Sequence, residues 1–213
     1  MAVLARNGNH DALVAALGAS DTRAGSHVTL ATGAVRDSAK PAAVEAMGRA
    51  LADHGKTLLL AADLRGPELR KRFGLGLGAG LTDLLALLEK TRRTRVEAEL
   101  LERTLNRIWG AGPDGSDERL HVITTGPRAR GASRMVTGQP MRDLLEALRN
   151  LDYRYVVVDA PPLLKSGSAP VLARWADSTV VVANPARLSP RRRGKLDAAI
   201  ASLEPRPLGL IAP

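Results

Sequence analysis

The stretch LDYRYVVVDAPP, residues 151–162, decides the fold. Tyr155, Val156, Val157 and Val158 form a run that is apolar on both faces, the pattern of a strand buried in the middle of a parallel sheet. Pro161 and Pro162 have no N–H to give to a ladder, so the strand must stop before them. Asp159 is thereby set at the carboxyl end of a central strand, the edge at which open α/β sheets bind ligands. An acid there either holds a magnesium ion for a nucleotide phosphate, directly or through water, or caps the following turn. The stretch itself leaves both roles open.

Upstream, HVTLAT (27–32) is a second strand candidate, followed by Gly33 and a polar loop to residue 39. Pro41 suits the first turn of a helix, where its missing N–H costs nothing. Val44, Met47 and Leu51 recur at helical spacing, and Gly55 ends the helix. TLLLAA (57–62) is the next strand and runs into Asp63. Strand, loop, helix and strand make a βαβ unit with a right-handed crossover. Its first loop, at a helix N-terminus, is where a phosphate would sit.

Downstream, the pattern predicts a short basic helix within 64–80, a helix over 81–88, and a charged, helix-prone stretch over 89–108. A flexible turn at 110–118 leads to a strand at 120–124, and an arginine-rich polar loop covers 128–134. A helix over 141–151 leads into the central strand. A short helix at 171–176, a strand at 179–183, a helix at 190–203 and a last strand at 208–211 follow. This alternation predicts a three-layer, doubly wound α/β fold with a mostly parallel sheet and helices on both faces. Residues 1–26 read as a flexible segment with one short helix (12–17), and 27–213 as a single domain.

The 213 residues carry a net charge of +9, but arginine is spread along the chain and only Arg191, Arg192 and Arg193 form a tight run. With five aromatic residues in all, base stacking is poorly supplied, so nucleic acid is not an expected partner. Cysteine is absent, which excludes disulfides and thiolate metal sites and suits a reducing compartment. No apolar h-region follows Met1, and no run of 18 apolar residues occurs, so the expected location is cytoplasmic.

Four segments carry a resemblance. GKTLLLAADLRGP (55–67) is similar to a second Walker motif of the type strand, Asp-x-Asp, Leu-Arg-x-Pro. FGLGLGAGLTDLLA (73–86) is similar to the segment after it. ASRMV (132–136) with MRDLLEALR (141–149) matches a loop-and-helix element, and YVVVDAPP (155–162) a Walker B strand ending in Asp-x-Pro-Pro. In this order and spacing they resemble the bacterial tyrosine kinases of capsule and exopolysaccharide synthesis, within the ParA/MinD-type P-loop ATPases. The resemblance implies a P-loop NTPase-like fold and ATP or ADP with magnesium. It also implies a membrane-embedded chain-length regulator as partner, recruitment to the inner face of the membrane, and a homo-oligomer. It assigns nucleotide binding to Gly33, Arg36 and Lys40, and magnesium binding and catalysis to Asp63 and Asp159.

The departures from the family pattern bear on chemistry. Where the resemblance implies Gly-Lys-Ser/Thr, the chain has Ala39, Lys40 and Pro41. The loop AVRDSA (34–39) has no glycine, and Pro41 removes both the magnesium-side hydroxyl and a backbone donor. Asp37 puts a negative charge where phosphates would lie, which Arg36 offsets only in part. Ala61 replaces the first acid of Asp-x-Asp, the residue expected to act as base. Tyr153 and Tyr155 border a buried strand, and the quoted sequence ends at LGLIAP without a tyrosine cluster. The helix at 11–17 lacks the arginines that the family uses for ring assembly. One lost contact of this kind costs about 2–4 kcal/mol of transition-state stabilisation. The expected function is therefore a degenerate pseudokinase with Asp63 and Asp159 as vestiges, serving as a scaffold or regulator. An active tyrosine kinase with a remodelled loop is one alternative, and a ParA/MinD-like positioning ATPase is another.

Bland readings stand beside these. Lys40 is equally a solvated loop lysine, Asp63 a turn cap, and Arg36 a partner for Asp37. Thr82 and Asp83 are read as helix caps and Ser168 as a loop or cap residue. Arg128, Arg130 and Arg134 are read as a solvated loop, Trp109 and Trp175 as packing residues. The four histidines lack metal-ligand spacing.

Overall fold

The computed structural model describes residues 3–6, 11–20, 25–66, 68–91, 110–111, 118–127 and 131–212. The strands are β1 (Val3–Arg6), β2 (His27–Gly33), β3 (Thr57–Ala61), β4 (Gly110–Ala111), β5 (Leu120–Ile123), β6 (Tyr155–Asp159), β7 (Ser178–Val182) and β8 (Gly209–Ala212). The helices are α1 (Asp11–Ser20), α2 (Ala39–Ala52), α3 (Glu68–Arg72) and α4 (Leu81–Thr91), then α5 (Ala132–Val136), α6 (Gln139–Leu148), α7 (Ser168–Ala173) and α8 (Pro190–Ala201). One sheet holds the strands in the order β1-β8-β7-β2-β6-β3-β5-β4. Every pairing is parallel except β4 with β5.

The strands that read as apolar on both faces are buried on both faces. In β6, Val156 and Val158 enter one core while Tyr155 and Val157 enter the other. In β3, Leu58 and Leu60 part in the same way from Leu59 and Ala61. This is the two-residue alternation of strand side chains. The first core is closed by Leu81, Leu84, Leu85 and Leu88 of α4 and by Met141, Leu144, Leu145 and Leu148 of α6. The second is closed by Leu13 and Leu17 of α1 and by Val44, Met47 and Leu51 of α2. The fold is thus the expected three-layer α/β arrangement, a mostly parallel sheet with helices on both faces.

Some elements differ from the sequence reading. Residues 3–6, read as part of a flexible segment, form an edge strand whose backbone pairs with β8, Val3 opposite Leu210 and Arg6 opposite Ala212. Gly110 and Ala111, read as the start of a flexible turn, pair antiparallel with Val122 and His121. Residues 132–134, read as the end of a polar loop, belong with 135 and 136 to a helix, because Met135 and Val136 are buried in the first core. The helix after Asp159 begins at Ser168, ahead of the expected position. Among the described residues, no helix is long and apolar enough to cross a membrane.

Candidate nucleotide-binding site

The carboxyl ends of β2, β3 and β6 lie side by side. Ala31 and Ala61 both stand in register with Asp159, one on each neighbouring strand. The turn after β6 is tied to β2: Thr32 Oγ1 donates to Pro161 O at 2.8 Å, and Leu163 N to Gly33 O at 2.8 Å. These bonds fix where Asp159 points relative to the loop leading into α2.

That loop folds Lys40 back over Gly33. A Cβ at Gly33 would stand 3.3 Å from Lys40 Cδ and 3.4 Å from Val35 O, so glycine leaves the lysine its path. Lys40 Nζ donates to Asp159 Oδ1 at 2.5 Å and to Ala160 O at 2.8 Å, and lies 3.7 Å from Asp63 Oδ2. Lys40, Asp63 and Asp159 are 4%, 6% and 5% exposed, which rules out the solvated-loop reading of the lysine. Lys40 is buried because an ammonium loses little when two carboxylates and a carbonyl replace its water.

Arg36 pairs with Asp63 and not with Asp37: its Nη2 donates to Asp63 Oδ1 at 3.0 Å and Oδ2 at 3.4 Å. Asp63 also accepts the N–H of Arg65 at 3.3 Å, so it caps a turn while it binds Arg36. Asp37 Oδ1 accepts the backbone N–H groups of both Ala39 and Lys40 at 3.1 Å. Those are donors of the first turn of α2, the groups a helix N-terminus would offer to a phosphate. Burial pushes the Asp159 carboxyl above the ordinary carboxylate value, and the charge of Asp63 adds to this. The charge and hydrogen bond of Lys40, and the charge of Arg36, oppose it.

All five predicted site residues are therefore brought together. Arg36, Lys40, Asp63 and Asp159 line one cleft of about 310 Å³ with Asp37 and Pro41, and Gly33 supports Lys40 from behind. Asp63 and Asp159 are the carboxylates that could face a magnesium ion, but each already meets a cationic side chain. Among the described residues, no group of three or more histidine, aspartate or glutamate side chains stands ready for a metal. Ala61 is buried beside Asp159 across the β3–β6 ladder, so the position expected for a base carries a methyl group.

Other expectations fall to the side of the cleft. Asp83 Oδ2 accepts Gly80 N at 2.8 Å, and Thr82 Oγ1 donates to Pro127 O at 2.7 Å, so both fasten the start of α4. Arg134 pairs with Glu89 at 2.5 Å; Arg128, Arg130 and Trp109 lie outside the described residues. Trp175 packs against the first core. Tyr155 is buried, and Tyr153 Oη meets His121 Nδ1 at 2.7 Å. Sequence reasoning did not single out Arg65, Ser133, Lys165 or Ser166, which line a second pocket next to Asp63. Arg65 and Ser133 stood in the sequence only as members of the quoted Leu-Arg-x-Pro and ASRMV segments, and Lys165, three residues beyond Pro162, had its placement as its only signal.

No family model matches the chain. It is 28% identical over 157 residues to the tyrosine-protein kinase YwqD of Bacillus subtilis, covering 73% of this chain and 58% of that one. The chain spans about half the length of the curated relatives it matches. The kinase domain of the Escherichia coli tyrosine kinase ETK superposes with a TM-score of 0.74 at 24% identity, over 94% of this chain and 72% of that one. A ParA family ATPase from Chlorobium tepidum superposes with a TM-score of 0.67 at 16% identity, over 89% and 73%. In sequence the chain is thus similar to bacterial tyrosine kinases, and in fold to their kinase domains and to ParA-type ATPases.

Proposed function

We propose that this chain is a degenerate relative of the tyrosine autokinases of capsule and exopolysaccharide synthesis, which keeps the kinase fold and has given up phosphoryl transfer. The observation that carries this reading is Asp37, whose carboxylate accepts both N–H groups at the start of α2. A phosphate placed there would meet a carboxylate in place of donors. Pro41 supplies neither hydroxyl nor N–H, and Ala61 supplies no base. The residues present thus do not fit Mg-ATP as they stand, and no catalytic step is derived through it. Lys40 and Asp159 then serve the fold as a buried ion pair, and the molecule acts by contact. Its partner in this reading is a membrane-embedded chain-length regulator, which recruits it from the cytoplasm to the inner face of the membrane as a scaffold or as part of a homo-oligomer.

The rival reading is an active tyrosine kinase with a rebuilt loop, favoured by the convergence of Arg36, Lys40, Asp63 and Asp159 on one cleft. Titration calorimetry of ATP and ADP, with and without magnesium, separates the two. The expected result is no heat at millimolar nucleotide. Magnesium-dependent binding in the micromolar range, with turnover lost in Asp159→Ala, would overturn the pseudokinase reading. A positioning ATPase of the ParA/MinD type would instead show nucleotide-dependent, salt-sensitive binding to DNA.

A further inference from the structure

Beside the Arg36–Asp63 pair lies a pocket of about 250 Å³, which shares Arg36, Asp63, Arg65 and Pro162 with the cleft around Lys40. It gathers polar groups from four separate segments. Arg36 comes from the loop after β2, Arg65 from the loop after β3, Ser133 from α5, and Lys165, Ser166 and Ser168 from the segment after β6 and the start of α7. Three cations face one carboxylate, Asp63, and that carboxylate is already bound by Arg36 and approached by Lys40. Arg65 and Lys165 are exposed, and among the described residues neither side chain has an ion-pair partner. A concave site in which cations outnumber carboxylates draws in anions.

We propose that this pocket binds a phosphate monoester of a small, ring-sized molecule. A tetrahedral dianion with three terminal oxygens uses donors arriving from several sides, which a guanidinium fork, an ammonium and hydroxyls provide. A planar carboxylate would leave part of that set unused. Ala62, Leu64, Val136, Pro161 and Pro162 give the same pocket apolar walls, where the ester's carbon skeleton lies. The volume falls below the roughly 300–1,000 Å³ typical of sites for drug-sized ligands, which favours a small ester over a nucleotide. Ser133, Lys165, Ser166 and Ser168 line this pocket and not the neighbouring cleft, while Arg36, Asp63 and Arg65 line both, so Lys165→Ala is the change that belongs to this pocket alone.

The test is calorimetry at fixed ionic strength with phenyl phosphate, glucose 6-phosphate and inorganic phosphate. Saturable binding of at least one ester is expected, and the tighter of the two identifies an aryl or a sugar source. Arg65→Ala and Lys165→Ala should each weaken it at least tenfold, about 1.4 kcal/mol. Arg192→Ala, a cation exposed on α8 outside the pocket, should leave it unchanged. No saturable binding, or an equal loss in Arg192→Ala, would overturn the site. Inorganic phosphate binding as tightly as either ester would overturn the ester assignment. Thermal melts of the three variants separate a lost ligand from a lost fold.

Discussion

One oxygen of Asp37 accepts the backbone N–H groups of both Ala39 and Lys40, so the start of α2 carries its own anion. Removing it should show in two ways. Asp37→Ala loses a helix cap and should cost about 1 kcal/mol in urea unfolding. It should not restore nucleotide binding, because Ala39 and Pro41 remain. The triple change Asp37→Gly, Ala39→Gly and Pro41→Thr should produce magnesium-dependent ATP binding in the micromolar range, about −8 kcal/mol, by calorimetry. ATP heat from the single variant would show that charge alone kept nucleotide out.

Lys40 and Asp159 form a buried pair with side chains 5% and 7% exposed. Taking away one member of such a pair leaves the other charge uncompensated, at a cost of about 3–5 kcal/mol. Lys40→Met should therefore lower stability by several kcal/mol at neutral pH. The loss should shrink in acid, where the stranded Asp159 takes up a proton. Equal losses at both pH values would place the effect in packing rather than charge.

Asp159 also sets a pH dependence whose sign is fixed. Its carboxyl is held above the ordinary value of 3.8, chiefly by burial, so the folded chain holds that proton more tightly than the unfolded chain. The stability this group contributes is complete below about 3.8 and falls as pH rises from there through its raised folded value. Urea midpoints of the wild type and Asp159→Asn across that window should diverge, with the wild type losing ground as pH rises. A flat difference between the two curves would rule the shift out.

Gly80, just before α4, touches the backbone that follows β5. A Cβ there would stand 2.3 Å from Gly126 N and 2.4 Å from Thr124 O, neither of which can swing aside. Gly80→Ala should cost about 1–3 kcal/mol and disturb the Leu81 N to Thr124 O bond. Gly76→Ala, with open space around its Cβ, should stay within about 0.5 kcal/mol. Matched chemical denaturation of the two variants checks this.

The central sheet was legible because its strands are short apolar runs bounded by glycine, proline or an acid, and because their burial on both faces leaves one periodic signature. Asp63 and Asp159 were legible for the same reason: a strand that must stop puts its last residue at the ligand-binding edge. β1 was not, since VLAR carries no turn signal and owes its pairing to β8, at the other end of the chain. Nor was the burial of Lys40 readable, because only the register of β2 with β6 brings Asp159 under it. Asp37 was recognised as a misplaced charge, but whether it would repel phosphate, bind Arg36 or cap the helix depends on loop geometry that residue order does not encode.

Arg36 lines both the cleft with Lys40 and the pocket with Lys165, and its guanidinium leans on Asp63 between them. One guanidinium cannot serve an anion on each side at full strength. An anion that draws it into either space weakens its hold on Asp63 and leaves that carboxylate to Lys40. Occupancy of one space must then change affinity in the other, and by the same factor in both directions, because linkage is reciprocal. With Asp63 and Arg65 shared as well, the two neighbouring hollows form a thermodynamically coupled pair.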